Sequence, residues 1–147
     1  MKPSSNGKAR IFLADDHRAI LDRVCALLNG RFELVGQAQN GKAALEGIES
    51  TRPDVLVIDI GMPVLDGIRV MQRLQEQRSP TKVVFLTVQE DPDYVTAVFH
   101  YGARAYVTKP RISSDLVAAI EEVLAGRTFI SPSLSLSGNG FGSKAKA

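Results

Sequence analysis

The chain has 147 residues, of which 44% are hydrophobic and 23% charged, and this is the composition of an ordinary globular domain. Residues 9–130 carry 14 basic and 16 acidic side chains, so they offer no basic stripe, and we expect no direct contact with nucleic acid. No apolar run approaches the ~18 residues that span a bilayer, and the single Cys25 excludes an internal disulfide, so we expect a cytoplasmic domain without membrane contact.

Apolar patterns predict five strands that alternate with five helices. The central strand ends at Asp59 and is a continuous apolar run, typical of a strand that is buried on both faces. In chain order the elements are strand 10–14, helix 19–29, strand 33–38, helix 42–50, strand 54–59, a helix over 68–77 capped by Asp66, strand 82–87, a helix from Asp91-Pro92 to Gly102, strand 105–107 and a helix over 116–125 capped by Ser113-Ser114-Asp115.

This alternation predicts an α/β fold with a parallel sheet, right-handed crossovers and helices on both faces. For five strands the common solution is the flavodoxin-like (βα)5 doubly wound sheet with strand order 2-1-3-4-5. We expect a disordered segment over residues 1–8 and one domain over 9–127. Residues 128–147 are rich in Ser, Gly and Lys, which predicts a flexible tail or linker.

The candidate site is formed by polar residues at the carboxyl ends of the first, third, fourth and fifth strands. Asp15 and Asp16 follow the first strand and Asp59 ends the third, and the switch point of this sheet lies between those two strands. Clustered carboxylates repel one another unless a cation is present, and Mg²⁺ is the natural partner for such oxygen ligands. Thr87 and Lys109 reach the same rim, so the sequence predicts a site that handles a phosphoryl group.

The motifs that carry a family resemblance occur in order along residues 9–127. This region resembles the receiver domain of two-component response regulators, in particular receivers that precede a helix-turn-helix output domain. The matching motifs are Ala14-Asp15-Asp16-His17, Asp59-Ile60-Gly61-Met62-Pro63 with Asp66-Gly67, Leu86-Thr87 and Tyr106-Val107-Thr108-Lys109-Pro110.

The resemblance implies a phosphorylation-dependent switch rather than an enzyme, catalysing only its own phosphorylation and dephosphorylation. Asp59 would accept the phosphoryl group from a histidine kinase or phosphotransfer protein. The implied Mg²⁺ ligands are Asp59, Asp16 directly, Asp15 through water and the backbone carbonyl of Gly61.

Three further roles are implied at the ends of the last two strands. Lys109 would pair with Asp59 and then with a phosphoryl oxygen, while Thr87 would bind another of these oxygens. Tyr106 would turn inward when Thr87 moves, and the Lys109–Pro110 peptide would be cis, which proline permits. Val88 follows Thr87 where the family usually has Ala or Gly, so its larger side chain is expected to hinder access to Asp59.

Two other functions are disfavoured, each by the residues found at one place in the sequence. An aspartyl-nucleophile phosphohydrolase needs a second acid two residues after the nucleophile, where this chain has Gly61. A flavodoxin needs amides and hydroxyls for phosphate in the loop after Ala14, where this chain has two acids.

Two questions about output stay open in the sequence. Nothing after Gly126 resembles an output domain, so the chain is either a stand-alone receiver or the N-terminal part of a DNA-binding regulator. The fourth helix is rich in apolar and aromatic residues, namely Tyr94, Val95, Val98, Phe99 and Tyr101. We therefore expect phosphorylation to change self-association, as a homodimer, through the fourth helix, fifth strand and fifth helix.

Overall fold

The computed structural model describes residues 7–88 and 90–131, in which strands and helices alternate along the chain. In chain order they are β1 Arg10–Ala14, α1 Arg18–Leu28, β2 Glu33–Ala38, α2 Gly41–Thr51, β3 Val55–Asp59, α3 Gly67–Glu76, β4 Lys82–Thr87, α4 Pro92–His100, β5 Ala105–Thr108, a 3-10 turn Lys109–Arg111, α5 Ile112–Leu124 and β6 Phe129–Ile130. Every helix in this part of the chain is too short or too polar to cross a bilayer.

The strands form one parallel sheet in the order β2-β1-β3-β4-β5-β6. The predicted flavodoxin-like order is confirmed, and β6 adds a short strand beside β5. All five residues of β3 are buried, because the strand lies in the middle of the sheet and is covered on both faces. Leu21 of α1 and Leu116 of α5 pack on one face, whereas Met71 of α3 and Val98 of α4 pack on the other.

The end of the described chain differs from the expected tail. Phe129 and Ile130, assigned from the sequence to the flexible segment 128–147, pair with β5. Their side chains also pack against the two core clusters, and Ser131 is fully buried. The open edge of β5 thus gains hydrogen-bonding partners that composition alone did not reveal. Residues 1–6 and 132–147 of the expected flexible ends lie outside the described residues.

Two expectations about the segment that joins β5 to α5 are wrong. The helix begins at Ile112 rather than Leu116, because Asp115 is not its cap but a buried residue of its first turn, bonded to Arg111. The Lys109–Pro110 peptide bond is trans, not cis. Pro110 lies in the 3-10 turn, where its fixed φ suits an early helical position and the trans form keeps its usual advantage of about 0.5–1 kcal/mol.

The loop after β3 closes tightly onto the strand at Gly67. Asp66 caps α3 as predicted, since its side chain accepts a hydrogen bond from the Arg69 N–H at 2.9 Å. The Gly67 N–H donates to the Ile60 carbonyl at 2.8 Å. A Cβ on Gly67 would lie 2.5 Å from the Asp59 carbonyl oxygen. The absence of a side chain here therefore lets α3 begin directly beside Asp59.

This close approach predicts that Gly67→Ala destabilises the domain by about 1–3 kcal/mol through overpacking against backbone. Gly61→Ala is the matched control in the same loop, because its Cβ would meet nothing within 4 Å, and its effect should stay within about 0.5 kcal/mol. Urea denaturation of the three proteins measures both changes. Equal midpoints for the two variants would contradict the assigned role of Gly67.

Candidate functional site

The carboxyl edge of the sheet gathers the predicted site residues. Asp15 follows β1, and the adjacent Ala14 is paired with Ile58, the residue before Asp59. On the other side of β3, Asp59 is paired with Leu86, the residue before Thr87. Thr87 is paired in turn with Thr108, the residue before Lys109. The parallel register thus brings Asp15, Asp59, Thr87 and Lys109 to one edge.

The acids form a compact cluster. One side-chain ligand atom from each of Asp15, Asp16, His17 and Asp59 lies within 4.8 Å of the others. The Nδ1 atom of His17 is 3.1 Å from Oδ1 of Asp15 and 3.1 Å from Oδ1 of Asp16. The backbone N–H of His17 donates to Oδ1 of Asp15 at 2.9 Å. The cluster therefore includes an imidazole next to its carboxylates.

His17 is the member that the sequence analysis left without a role. It was part of the motif Ala14-Asp15-Asp16-His17, but its spacing after the acids carried no separate prediction. The structure shows why it stays close, since His17 is the residue preceding α1 and its backbone is tied to Asp15. An aspartate two residues before the N-cap of a helix is a signal of such an Asx turn, and it could have placed the ring here.

Lys109 supplies the positive charge of the cluster. Its Nζ lies 2.9 Å from Oδ2 of Asp15 and 3.4 Å from Oδ1 of Asp59, and the side chain is only 10% exposed. At this depth Coulomb attraction is screened less than at the surface. The ammonium group therefore offsets much of the repulsion between the two buried carboxylates.

The ionised form of Asp59 is nevertheless disfavoured by its surroundings. Burial raises its pKa above the ordinary value, and the nearby charge of Asp15 raises it further. The Lys109 ammonium and the Gly61 N–H, which donates a hydrogen bond to the carboxylate, lower the pKa without cancelling the shift. Because the folded-state pKa is raised, stability present at low pH is lost as pH rises through it. Ionised Asp59 thus destabilises the metal-free fold at neutral pH.

Thr87 and Tyr106 are joined beneath the rim. Tyr106 is fully buried, its phenol is hydrogen-bonded to the Thr87 side chain, and its pKa is raised, chiefly by burial. The inward position that the resemblance associates with a switched Tyr106 is thus the one observed. Val88 is 72% exposed, and its effect on access to Asp59 stays a prediction.

The donor set of the cluster fits a hard divalent cation. Carboxylate oxygens are the ligands that Mg²⁺ prefers. Oδ1 of Asp16 is buried, and its one polar neighbour named above is the Nδ1 of His17 at 3.1 Å, a contact that is not aligned as a hydrogen bond. Gly61 has its N–H bonded to Asp59, which places its backbone at the same site. The arrangement could therefore hold a metal ion.

A match to the response regulator receiver domain family spans residues 11–121. The chain belongs to this family. It is 35% identical over 128 residues to the transcriptional regulatory protein YvfU of Bacillus subtilis, covering 86% of this chain and 64% of the relative. It is 33% identical over 129 residues to the response regulator GacA of Pseudomonas viridiflava, covering 86% and 60%.

Solved structures agree with this assignment. The receiver domain of NarL from Mycobacterium tuberculosis superimposes with a TM-score of 0.77 at 31% identity, over 82% of this chain and 98% of that one. A LuxR-family two-component response regulator from Aurantimonas gives a TM-score of 0.85 at 28% identity, over 90% and 96%. This receiver chain spans about three fifths of the length of the curated relatives it matches.

The cluster predicts a cation-dependent stability. Millimolar Mg²⁺ should raise the melting temperature, by an equivalent of about 1.4 kcal/mol at ten times its Kd. Asp16→Ala should weaken this response because it removes a ligand, and should stabilise the metal-free protein because it relieves repulsion. Asp22→Ala, at a surface position that is 68% exposed on α1, is the control. An undiminished Mg²⁺ response in Asp16→Ala would exclude Asp16 as a ligand.

Proposed function

We propose that Asp59 accepts a phosphoryl group from a histidine kinase or phosphotransfer protein, and that this modification switches the signalling output of the receiver. The observation that carries the proposal is the position of Lys109. Its Nζ lies 3.4 Å from Oδ1 of the buried Asp59, where it can neutralise charge on an arriving phosphoryl group. The coarser conclusion, that the chain is a signalling receiver domain, follows from its family.

The transfer is a single displacement at phosphorus, in which side chains of the receiver assist. A carboxylate oxygen of Asp59 attacks phosphorus, the new O–P bond forms, and the P–N bond of the donor phosphohistidine breaks, with its electron pair returning to the imidazole. Lys109 then pairs with a phosphoryl oxygen, and the Thr87 hydroxyl donates a hydrogen bond to another. Positioning and charge neutralisation of this kind account for most of phosphoryl-transfer catalysis.

The metal that we propose is Mg²⁺. Asp15, Asp16 and Asp59, with the backbone carbonyl of Gly61, would hold it, and when bound it supplies positive charge toward the phosphoryl oxygens. On this account the chain catalyses its own phosphorylation and dephosphorylation. A phosphohydrolase with an aspartyl nucleophile is disfavoured, because its general acid would have to stand at Gly61.

The phosphorylation prediction uses a small-molecule donor. With acetyl phosphate and Mg²⁺, the intact mass should rise by one phosphoryl group, and Asp59→Asn should abolish the gain. Asp66→Asn is the matched control in the same loop, since asparagine caps a helix as well as aspartate and should leave the uptake unchanged. Full uptake by Asp59→Asn would remove Asp59 from its assigned role.

We further propose that this receiver is part of a longer DNA-binding regulator. The relatives YvfU and NarL are named transcriptional regulatory proteins, and this chain covers 64% and 60% of them. DNA contact would then belong to a separate output domain, not to the receiver. Sequencing the reading frame beyond the Ala147 codon tests this: a helix-turn-helix segment supports it, and an immediate stop codon contradicts it.

The surface proposed to change on phosphorylation includes the exposed side of α4. Val95 and Val98 belong to the core, but Tyr94 and Phe99 are only partly buried and Tyr101 is 46% exposed. Partly exposed aromatic groups of this kind can mediate self-association.

The self-association prediction is checked by analytical ultracentrifugation. Beryllofluoride with Mg²⁺, which mimics the acyl phosphate, should shift the protein toward a dimer. Tyr101→Ser should weaken that shift by removing apolar contact area. Wild-type protein that sediments as a monomer both with and without beryllofluoride would contradict the dimer and point to a different partner for this surface.

A further inference from the structure

Ser131 is a buried polar residue just beyond the last strand of the described chain. After α5 the chain returns to the sheet, and Phe129 and Ile130 form β6 beside β5. The next residue, Ser131, is fully buried, and its backbone N–H donates to the Tyr106 carbonyl at 3.0 Å. A buried hydroxyl must find partners inside the protein, so its hydrogen bonds are informative.

The Ser131 hydroxyl makes two hydrogen bonds. It donates to Oδ2 of Asp115 at 2.9 Å and accepts from the Thr108 N–H at 3.2 Å. Asp115 is itself 4% exposed and is held by a bidentate pair with Arg111, at 2.7 Å to Nε and 3.2 Å to Nη2. We name Arg111, Asp115 and Ser131 together the Ser131 clasp.

The carboxyl group of Asp115 in the clasp is ionised. Burial alone would raise the pKa of Asp115, but the hydrogen bonds from Arg111 and Ser131 outweigh it and hold the pKa below its ordinary value. Asp115 is therefore a carboxylate at neutral pH. Bonds to a charged acceptor are stronger than bonds between neutral groups, so the clasp is a firm attachment between α5 and the end of β6.

The clasp contacts residues on both sides of Lys109, through the backbone N–H of Thr108 and the side chain of Arg111. Thr108, which donates to Ser131, immediately precedes Lys109, and Arg111, which binds Asp115, ends the 3-10 turn that Lys109 begins. Lys109 carries the ammonium group that contacts Asp15 and Asp59. Small displacements of a positioning element are costly in catalysis, because reacting groups must be aligned closely.

We propose that Ser131 is a positioning residue for Lys109, and that the Ser131 clasp couples phosphoryl chemistry at Asp59 to β6 at the end of the described chain. The inference rests on the proposed role of Asp59. Its second half follows from linkage: if a closed clasp favours the phosphorylated arrangement of Lys109, then phosphorylation favours a closed clasp by the same factor.

The first test is kinetic. Phosphorylation by acetyl phosphate with saturating Mg²⁺ is measured for the full chain against donor concentration, at a temperature where each variant is folded. Ser131→Ala should lower the maximal rate by about tenfold, the worth of one or two hydrogen bonds, with little change in half-saturating donor. Ser131→Thr keeps the hydroxyl and should recover most of the rate. Ser50→Ala, at an exposed serine of α2, is the control.

The outcomes of the kinetic test are distinct. A Ser131→Ala protein with a lower melting temperature but an unchanged maximal rate would show that the clasp is only structural and would overturn the proposal. Failure of wild-type protein to be phosphorylated would instead overturn the role of Asp59 itself, and this inference with it. If Ser131→Ala does not fold, Asp115→Asn weakens the same clasp and should also lower the maximal rate.

The second test measures the coupling on wild-type protein. Hydrogen exchange of peptides covering residues 105–109 and 128–131 is followed with and without Mg²⁺ and beryllofluoride. Both regions should exchange more slowly with the phosphoryl mimic, and Asp59→Asn should abolish the difference. A protected 105–109 region with unchanged exchange over 128–131 would show that the clasp does not respond to the site and would contradict the coupling.

Discussion

The buried ion pairs of the Lys109 ammonium group with Asp15 and Asp59 are the interaction on which the rest of this edge of the sheet depends. Two buried carboxylates so close together repel each other, and burial already raises the pKa of Asp59. Removing one partner of a buried ion pair typically costs about 3–5 kcal/mol. The same ammonium that makes the cluster tolerable in the unmodified domain is also the group that can receive a phosphoryl oxygen.

The fold explains how residues so far apart in sequence reach this ammonium. Parallel strands present their carboxyl ends at one edge, and the order β2-β1-β3-β4-β5 places β1 and β3 side by side there. The hydrophobic core packs on both faces of this sheet. Turns attached to it then set the details: Gly67 lets α3 start against Asp59, and the 3-10 turn after β5 carries Lys109.

The sequence was informative wherever a physical signal was long or unambiguous. The apolar run of β3, the alternation of strands and helices and the cap at Asp66 were all predictable from local chemistry. Shorter or ambiguous signals failed. Asp115 has the residue type of a helix cap, yet it is a buried ion-pair partner of Arg111 inside α5. The two apolar residues of β6 are too few to predict a strand, and proline permits both isomers of the Lys109–Pro110 bond.

The most direct test of the account is to locate the phosphoryl group by chemistry. An acyl phosphate on aspartate is reduced by borohydride to homoserine, so phosphorylated protein can be reduced, digested with trypsin and sequenced by mass spectrometry. The tryptic peptide 43–69 contains Asp54, Asp59 and Asp66. The account predicts homoserine at position 59 and at neither of the other two. Homoserine at Asp15 or Asp16 instead, with position 59 unchanged, would contradict it.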